Sequence, residues 1–224
     1  MDTGWKIART GSADSATPPP PAWVSPANIT ADDDVAATWT VGMASSNHYG
    51  YSLYLWNGSS TIGSNKWDGT QLVPTSYTLR TDGGSADLWG ATLSSAIVKS
   101  SSFGVYIKVA GSPQISQALY ATNFDFSSIP DGATINGIEV KVEWYKATTT
   151  VGTTYLDYVA MKVYYTSAAD TTPPVCTIQS PSSGFTTTES QISASGTASD
   201  NVGVTQVTWM NSAGGSGTCT GTTS

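Results

Sequence analysis

Ile138-Glu139-Val140-Lys141-Val142-Glu143-Trp144 sets apolar side chains against charged ones in strict alternation, the period of two that gives a β-strand one buried and one wet face. Just upstream, Ile129-Pro130-Asp131-Gly132 supplies a proline that presets one turn dihedral and a glycine that accepts positive φ, so the strand is entered through a tight reversal. Outward from this stretch the same pattern recurs. Residues 37–43 place Trp39, Val41 and Met43 on one face, residues 51–56 end at the hairpin dipeptide Asn57-Gly58, and residues 76–80 form another strand. Residues 103–109 point Val105, Ile107 and Val109 inward, and residues 119–126 and 158–165 complete the set, with one short helix expected around residues 94–99. Short strands parted by Gly, Pro and Ser turns predict an all-β chain: a large antiparallel β-sandwich, jelly-roll-like, followed by a smaller partial sandwich. An inward Trp144 is worth a few kcal/mol at roughly 25 cal/mol per Å² of apolar area.

Charge narrows the function. Lys, Arg, Asp and Glu make up 11% of the chain and the net charge is −7, against roughly 25% charged residues in an ordinary globular protein. With no Lys/Arg cluster to displace counterions from a phosphate backbone, nucleic acid is not an expected partner, and neither is an anionic membrane. No run approaches the roughly 18 apolar residues of a membrane span. Eight Trp and eleven Tyr suit β packing or aromatic binding surfaces. Met1-Asp2-Thr3-Gly4-Trp5 lacks the basic and apolar regions of a secretory leader, so export is expected either after removal of a leader or by another route, such as release of virions.

Composition divides the chain. Residues 1–22 read as an N-terminal extension, a short strand over Trp5 to Arg9 on a Gly/Ser leash that stiffens into Pro18 to Pro21. Residues 23–166 are the sandwich, residues 167–174 a linker ending in Pro173-Pro174, and residues 175–224 a second domain of about four strands.

Two resemblances follow from quoted motifs. Asp170-Thr171-Thr172-Pro173-Pro174, Ser180-Pro181, Ser195-Gly196-Thr197-Ala198-Ser199-Asp200-Asn201-Val202-Gly203-Val204 and Val207-Thr208-Trp209 resemble the opening of bacterial immunoglobulin-like repeats of secreted and surface proteins. That resemblance spans residues 170–224 and implies an extracellular spacer domain, with fewer strands than the roughly seven of a full immunoglobulin sandwich. Trp23-Val24-Ser25-Pro26-Ala27-Asn28, Ala86-Asp87-Leu88-Trp89-Gly90, Ser102-Phe103-Gly104-Val105 and the stretch from Asn123-Phe124 to Ile138 resemble a recurrent β-sandwich of phage tail and bacterial surface proteins.

Candidate sites are few. The single histidine, His48, lies in a polar turn with no nucleophile elbow, so histidine-based catalysis is not expected. A glycosidase needs two facing carboxylates. Asp82, Asp87, Glu139 and Glu143 are available, but the two glutamates flank Lys141 on a wet strand face, and the chain reads as non-enzymatic. Asp32-Asp33-Asp34 offers hard oxygen ligands for calcium, as does Asp170 with Asp200 and Asn201. Tyr54, Trp56 and Trp67 are candidates for stacking on sugars. Cys176 and Cys219 form either one disulfide or two separate buried thiols. A sandwich short of strands exposes an unpaired edge, which a neighbouring copy could complete by strand addition, with Trp5 and Ile7 as the donor; continuation of the chain past Ser224 is the other reading. The expected function is a structural or adhesive module of an extracellular appendage, surface filament or phage tail fibre, located outside the cell, on its surface or on a virion. Its partners are then copies of itself, other appendage subunits or surface glycans. The alternative is a carbohydrate-binding module of a larger secreted enzyme or adhesin.

Overall fold

Residues 138–144 lie in a strand of 13 residues, Thr134–Lys146; Ile138, Val140, Val142 and Trp144 are buried, while Glu139, Lys141 and Glu143 reach the opposite face. The reversal before it closes with the Ala133 amide on the Pro130 carbonyl at 3.2 Å, and Gly132 takes φ 74°. The computed structural model describes residues 1–14, 22–41, 47–112, 114–147 and 152–221, so Met43 and the proline run lie outside the described residues. Met1–Ala168 forms one unit and Ala169–Ser224 another.

The first unit contains β1 (Lys6–Ile7), β2 (Thr10–Ala13), a 3-10 turn at Pro26–Ile29, β3 (Ala37–Thr40), β4 (Tyr49–Trp56), β5 (Thr61–Ile62), β6 (Gln71–Leu72) and β7 (Thr78–Gly83). The helix α1 (Ser95–Lys99) follows, then β8 (Gly104–Gly111), β9 (Gln114–Ile115), β10 (Leu119–Thr122), β11 (Thr134–Lys146) and β12 (Thr153–Thr166). Helix α1 starts where expected, because the Ser94 hydroxyl accepts the Ile97 amide at 3.3 Å and Val98 is drawn into the core.

Two antiparallel sheets result. The first runs β1-β12-β11-β7 with β3 also on β12; the second runs β2-β10-β8-β4-β5 with β6 on β4 and β9 on β8. Their inner faces share one apolar cluster, with Val140, Val142, Val159 and Met161 from the first and Leu53, Leu55, Val105 and Ile107 from the second, as a face-to-face sandwich requires. At its centre the Trp67 and Trp144 rings stack at 4.6 Å and 25°. They fit because position 50 is glycine: a Cβ there would come within 2.8 Å of Trp144 and 2.9 Å of Trp67.

The N-terminal segment differs from a leash. Lys6 and Ile7 pair with Met161 and Ala160 of β12, and Thr10 to Ala13 pair with Thr122 to Leu119 of β10. The segment thereby crosses from one sheet to the other, with Ala8 buried between. Trp5 lies under two cations, Lys141 Nζ at 4.0 Å and Lys162 Nζ at 4.7 Å from its ring centroid. The proposed donor, Trp5 and Ile7, is therefore seated on its own sandwich. Backbone pairing, rather than side-chain pattern, holds it there.

In the second unit β13 (Val175–Ser180) pairs with β14 (Ser195–Ser199), and β15 (Thr208–Met210) pairs with β16 (Ser216–Thr218). Each pair is a separate two-stranded sheet.

Candidate functional site

The outward face of the second sheet carries an aromatic ladder. Tyr54 on β4, Tyr106 on β8 and Tyr120 on β10 are cross-strand register partners, so the sheet aligns three rings in a row. Trp56, two residues beyond Tyr54, lies on the same face, with its ring 4.7 Å from Tyr120 and 6.4 Å from Tyr106. Tyr106 meets Tyr54 and Tyr120 edge to face at 6.3 and 5.6 Å. All four side chains remain half-buried. Thr10 and Thr122 neighbour the ladder in register, and Lys108 Nζ sits 5.5 Å from the Tyr106 ring centroid. Burial, followed by the charge of Asp14 and by Tyr106, pushes the Tyr120 phenol up. Tyr54 and Trp56 both lie on this face. Trp67 does not: it is fully buried, stacked on Trp144, with its indole N–H donating to Asp82 Oδ2 at 2.9 Å.

A second cluster lies on the outward face of the first sheet. Between the pairs Val142↔Val159 and Trp144↔Leu156 a bulge sets one residue, Glu143, against two, Asp157 and Tyr158. Such a bulge re-aims a side chain. Here it turns Asp157 toward Glu143. The segment after the 3-10 turn bridges Thr30 to Tyr158 and then enters β3, which pairs with Thr153 to Leu156. The acidic loop is thereby held over the bulge, and one carboxylate oxygen each of Asp32, Glu143 and Asp157 lie within 4.8 Å of one another. Asp157 is fully buried, and neither of its oxygens has a hydrogen-bond partner. Its carboxyl is pushed up chiefly by burial and further by the charges of Asp33, Asp32 and Asp34; the Asp34 amide approaches outside hydrogen-bond geometry and offsets this only in part. Glu143 is raised by burial first, then by Asp32, Asp157 and Asp34. Tyr77, its ring tilted 57° against that of Tyr145 at 4.2 Å, donates its hydroxyl to the Asp34 carbonyl at 3.4 Å.

The acidic run therefore contributes differently from the expectation. Only Asp32 enters the cluster. Asp33 is spent on the Val35 amide at 3.1 Å, and Asp34 turns the chain at φ 60°. Glu143 was legible only as a wet carboxylate, and Asp157 was missed. The signal was present as a change of phase, from Leu156 to Val159, Met161 and Val163, that announces an extra residue in the strand. In the second unit Asn201 Nδ2 donates to Asp170 Oδ1 at 3.4 Å, while Asp200 Oδ1 accepts the amides of Val202 and Gly203 at 2.8 and 3.2 Å. Asp200 thus serves its own turn. Cys176 and Cys219 are free and exposed, matching neither a disulfide nor buried thiols.

The remaining carboxylates are structural. Asp82 receives Arg80 through two hydrogen bonds, at 2.8 and 2.7 Å, besides the Trp67 indole. Asp87 pairs with Lys66 at 2.6 Å and accepts the Trp89 amide at 2.7 Å. Glu139 accepts the Tyr164 hydroxyl at 2.9 Å. His48 is not in an open turn but fully buried; its Nδ1 shares a hydrogen bond with Thr154 Oγ1 at 2.6 Å, and its ring meets Trp39 edge-on at 5.3 Å. Burial, with Lys146 adding to it, lowers its pKa to about 4.

Residues 174–224 match the bacterial Ig domain. An immunoglobulin-like segment thus follows the β-sandwich, and domains of this kind are non-enzymatic surface or structural modules. Neither curated proteins nor solved structures yield a match to the chain. Among the described residues no helix is long and apolar enough to cross a membrane.

Proposed function

We propose that the chain is a non-catalytic adhesive module of an extracellular surface structure, in which the β-sandwich presents its aromatic ladder to carbohydrate. One observation carries this reading: Tyr54, Tyr106, Tyr120 and Trp56 gather on one outward sheet face, with Lys108 beside them. Clustered aromatics on an outer sheet face mark an interaction surface. Aromatic rings offer apolar area with polar tips, which suits a ligand with C–H faces and hydroxyl edges, and the low surface charge suits a neutral glycan. The immunoglobulin-like segment supports display as a spacer. Seating of Lys6 and Ile7 on β12 favours this adhesive reading over assembly by donation of the N-terminal strand.

The test is retention of the full chain on glycan arrays and insoluble polysaccharides. Trp56→Ala and Tyr106→Ala are expected to weaken binding about tenfold or more, equivalent to about 1.4 kcal/mol, with the far-ultraviolet β spectrum unchanged. Absence of binding to every glycan, or binding indifferent to both substitutions, would remove the proposal.

A further inference from the structure

The bulge in β12 points to a cation site. We propose that Asp32, Glu143 and Asp157 bind one calcium ion, which ties the acidic loop to the centre of the first sheet.

Three observations converge. The carboxylate oxygens lie within 4.8 Å of one another, and oxygens on opposite sides of a calcium ion, each about 2.3–2.6 Å from it, are separated by about that span. The set is oxygen only, with none of the nitrogen or sulfur ligands that zinc prefers. Magnesium demands near-ideal octahedral geometry at about 2.0–2.1 Å, a tighter cage than this one. Most telling, Asp157 is fully buried with both oxygens unpartnered, and none of the three carboxylates takes part in an ion pair among the described residues. A buried charge of this kind needs a compensating partner.

The three ligands come from three separate elements: the loop before β3, the last third of β11 and the bulge of β12. A cation here fastens the loop that leads into β3 onto the strand with which β3 pairs. It therefore stabilises the sandwich rather than performing chemistry. The inference is independent of whether the aromatic ladder binds glycan, since that ladder lies on the other sheet.

The full chain, stripped of cations by a chelator, is titrated with calcium chloride by calorimetry while its melting temperature is followed. One equivalent is expected to bind, with melting rising as calcium is raised to about 10 mM, about tenfold above the weak end of extracellular calcium modules. Asp32→Asn, on the exposed loop, abolishes this response while keeping the fold. Asp157→Asn abolishes it too, and leaves the calcium-free melting temperature equal or higher, because an uncompensated buried charge has gone. No heat and no shift with the native chain, a response that persists in either variant, or an equal response to magnesium would overturn the assignment.

Discussion

The two units use the same strand vocabulary with opposite results. In the first, β4, β8, β10, β11 and β12 each bury alternate side chains against a facing sheet; in the second, no described residue is buried, and Ile178, Trp209 and Met210 remain 71%, 48% and 83% exposed. The difference is the second layer. Alternation makes one face apolar, but only a facing sheet removes that face from water, and two-stranded sheets are marginal by themselves.

Trp144→Ser is expected to have the largest effect. The side chain is 2% exposed and stacked on Trp67 over Gly50, and emptying such a site typically costs about 3–5 kcal/mol. That is a large part of the 5–15 kcal/mol by which domains are usually stable. Denaturant unfolding of the first unit should show the loss as a fall in midpoint at constant slope. A loss under about 1 kcal/mol would mean that the stacked tryptophans are not the centre of the core.

His48 gives a smaller and conditional effect. Its folded pKa of about 4 lies below the ordinary 6.5, so between those values the unfolded chain holds a proton that the folded chain refuses. Stability is therefore fully present above about pH 6.5 and is lost as pH falls toward 4, by about 3 kcal/mol in all. Other carboxylates titrate in part of this window, so the measurement is the difference in unfolding free energy between the native chain and His48→Leu as a function of pH. The native chain should show the steeper slope. Parallel curves would mean that the imidazole accepts a proton in the folded state as readily as out of it.

How much of this was legible follows from where each residue's partners lie. Ile138 to Trp144, Ser94 before its helix and Asn57-Gly58 before β5 were readable because local spacing determines them. Asn57 even folds its own side chain onto the amides of Ser59 and Ser60 at 3.0 and 2.9 Å. Trp67 looked exposed because it stands among polar residues, yet its partners Trp144 and Asp82 are distant in sequence. His48 misled for the same reason, being paired with Thr154. The start of β12 was hidden by its bulge, which breaks the alternation between Leu156 and Val159, and with it went Asp157. The N-terminal segment looked like a leash because Thr10-Gly11-Ser12-Ala13 has no apolar pattern, while backbone pairing to β10 needs none. The ladder was half visible: Tyr54 and Trp56 stood out, but Tyr106 and Tyr120 joined them only through strand register.

The smallest expected effect is in the second unit. Trp209 is 48% exposed and packs over Gly217 across the β15–β16 pair, where a Cβ would fall within 2.8 Å of its indole nitrogen. Trp209→Ser removes a ring that already lies about half in water, so the second unit should lose no more than about 0.5 kcal/mol of unfolding free energy. Amide exchange should likewise show the second unit opening at lower free energy than β11 and β12, since its hydrogen bonds have no buried apolar layer behind them. A loss of more than about 2 kcal/mol on Trp209→Ser would show instead that this tryptophan is withdrawn from water in solution. The contrast between a layered and an unlayered β unit would then collapse, because the side chain of Trp209 would be behaving as that of Trp144 does.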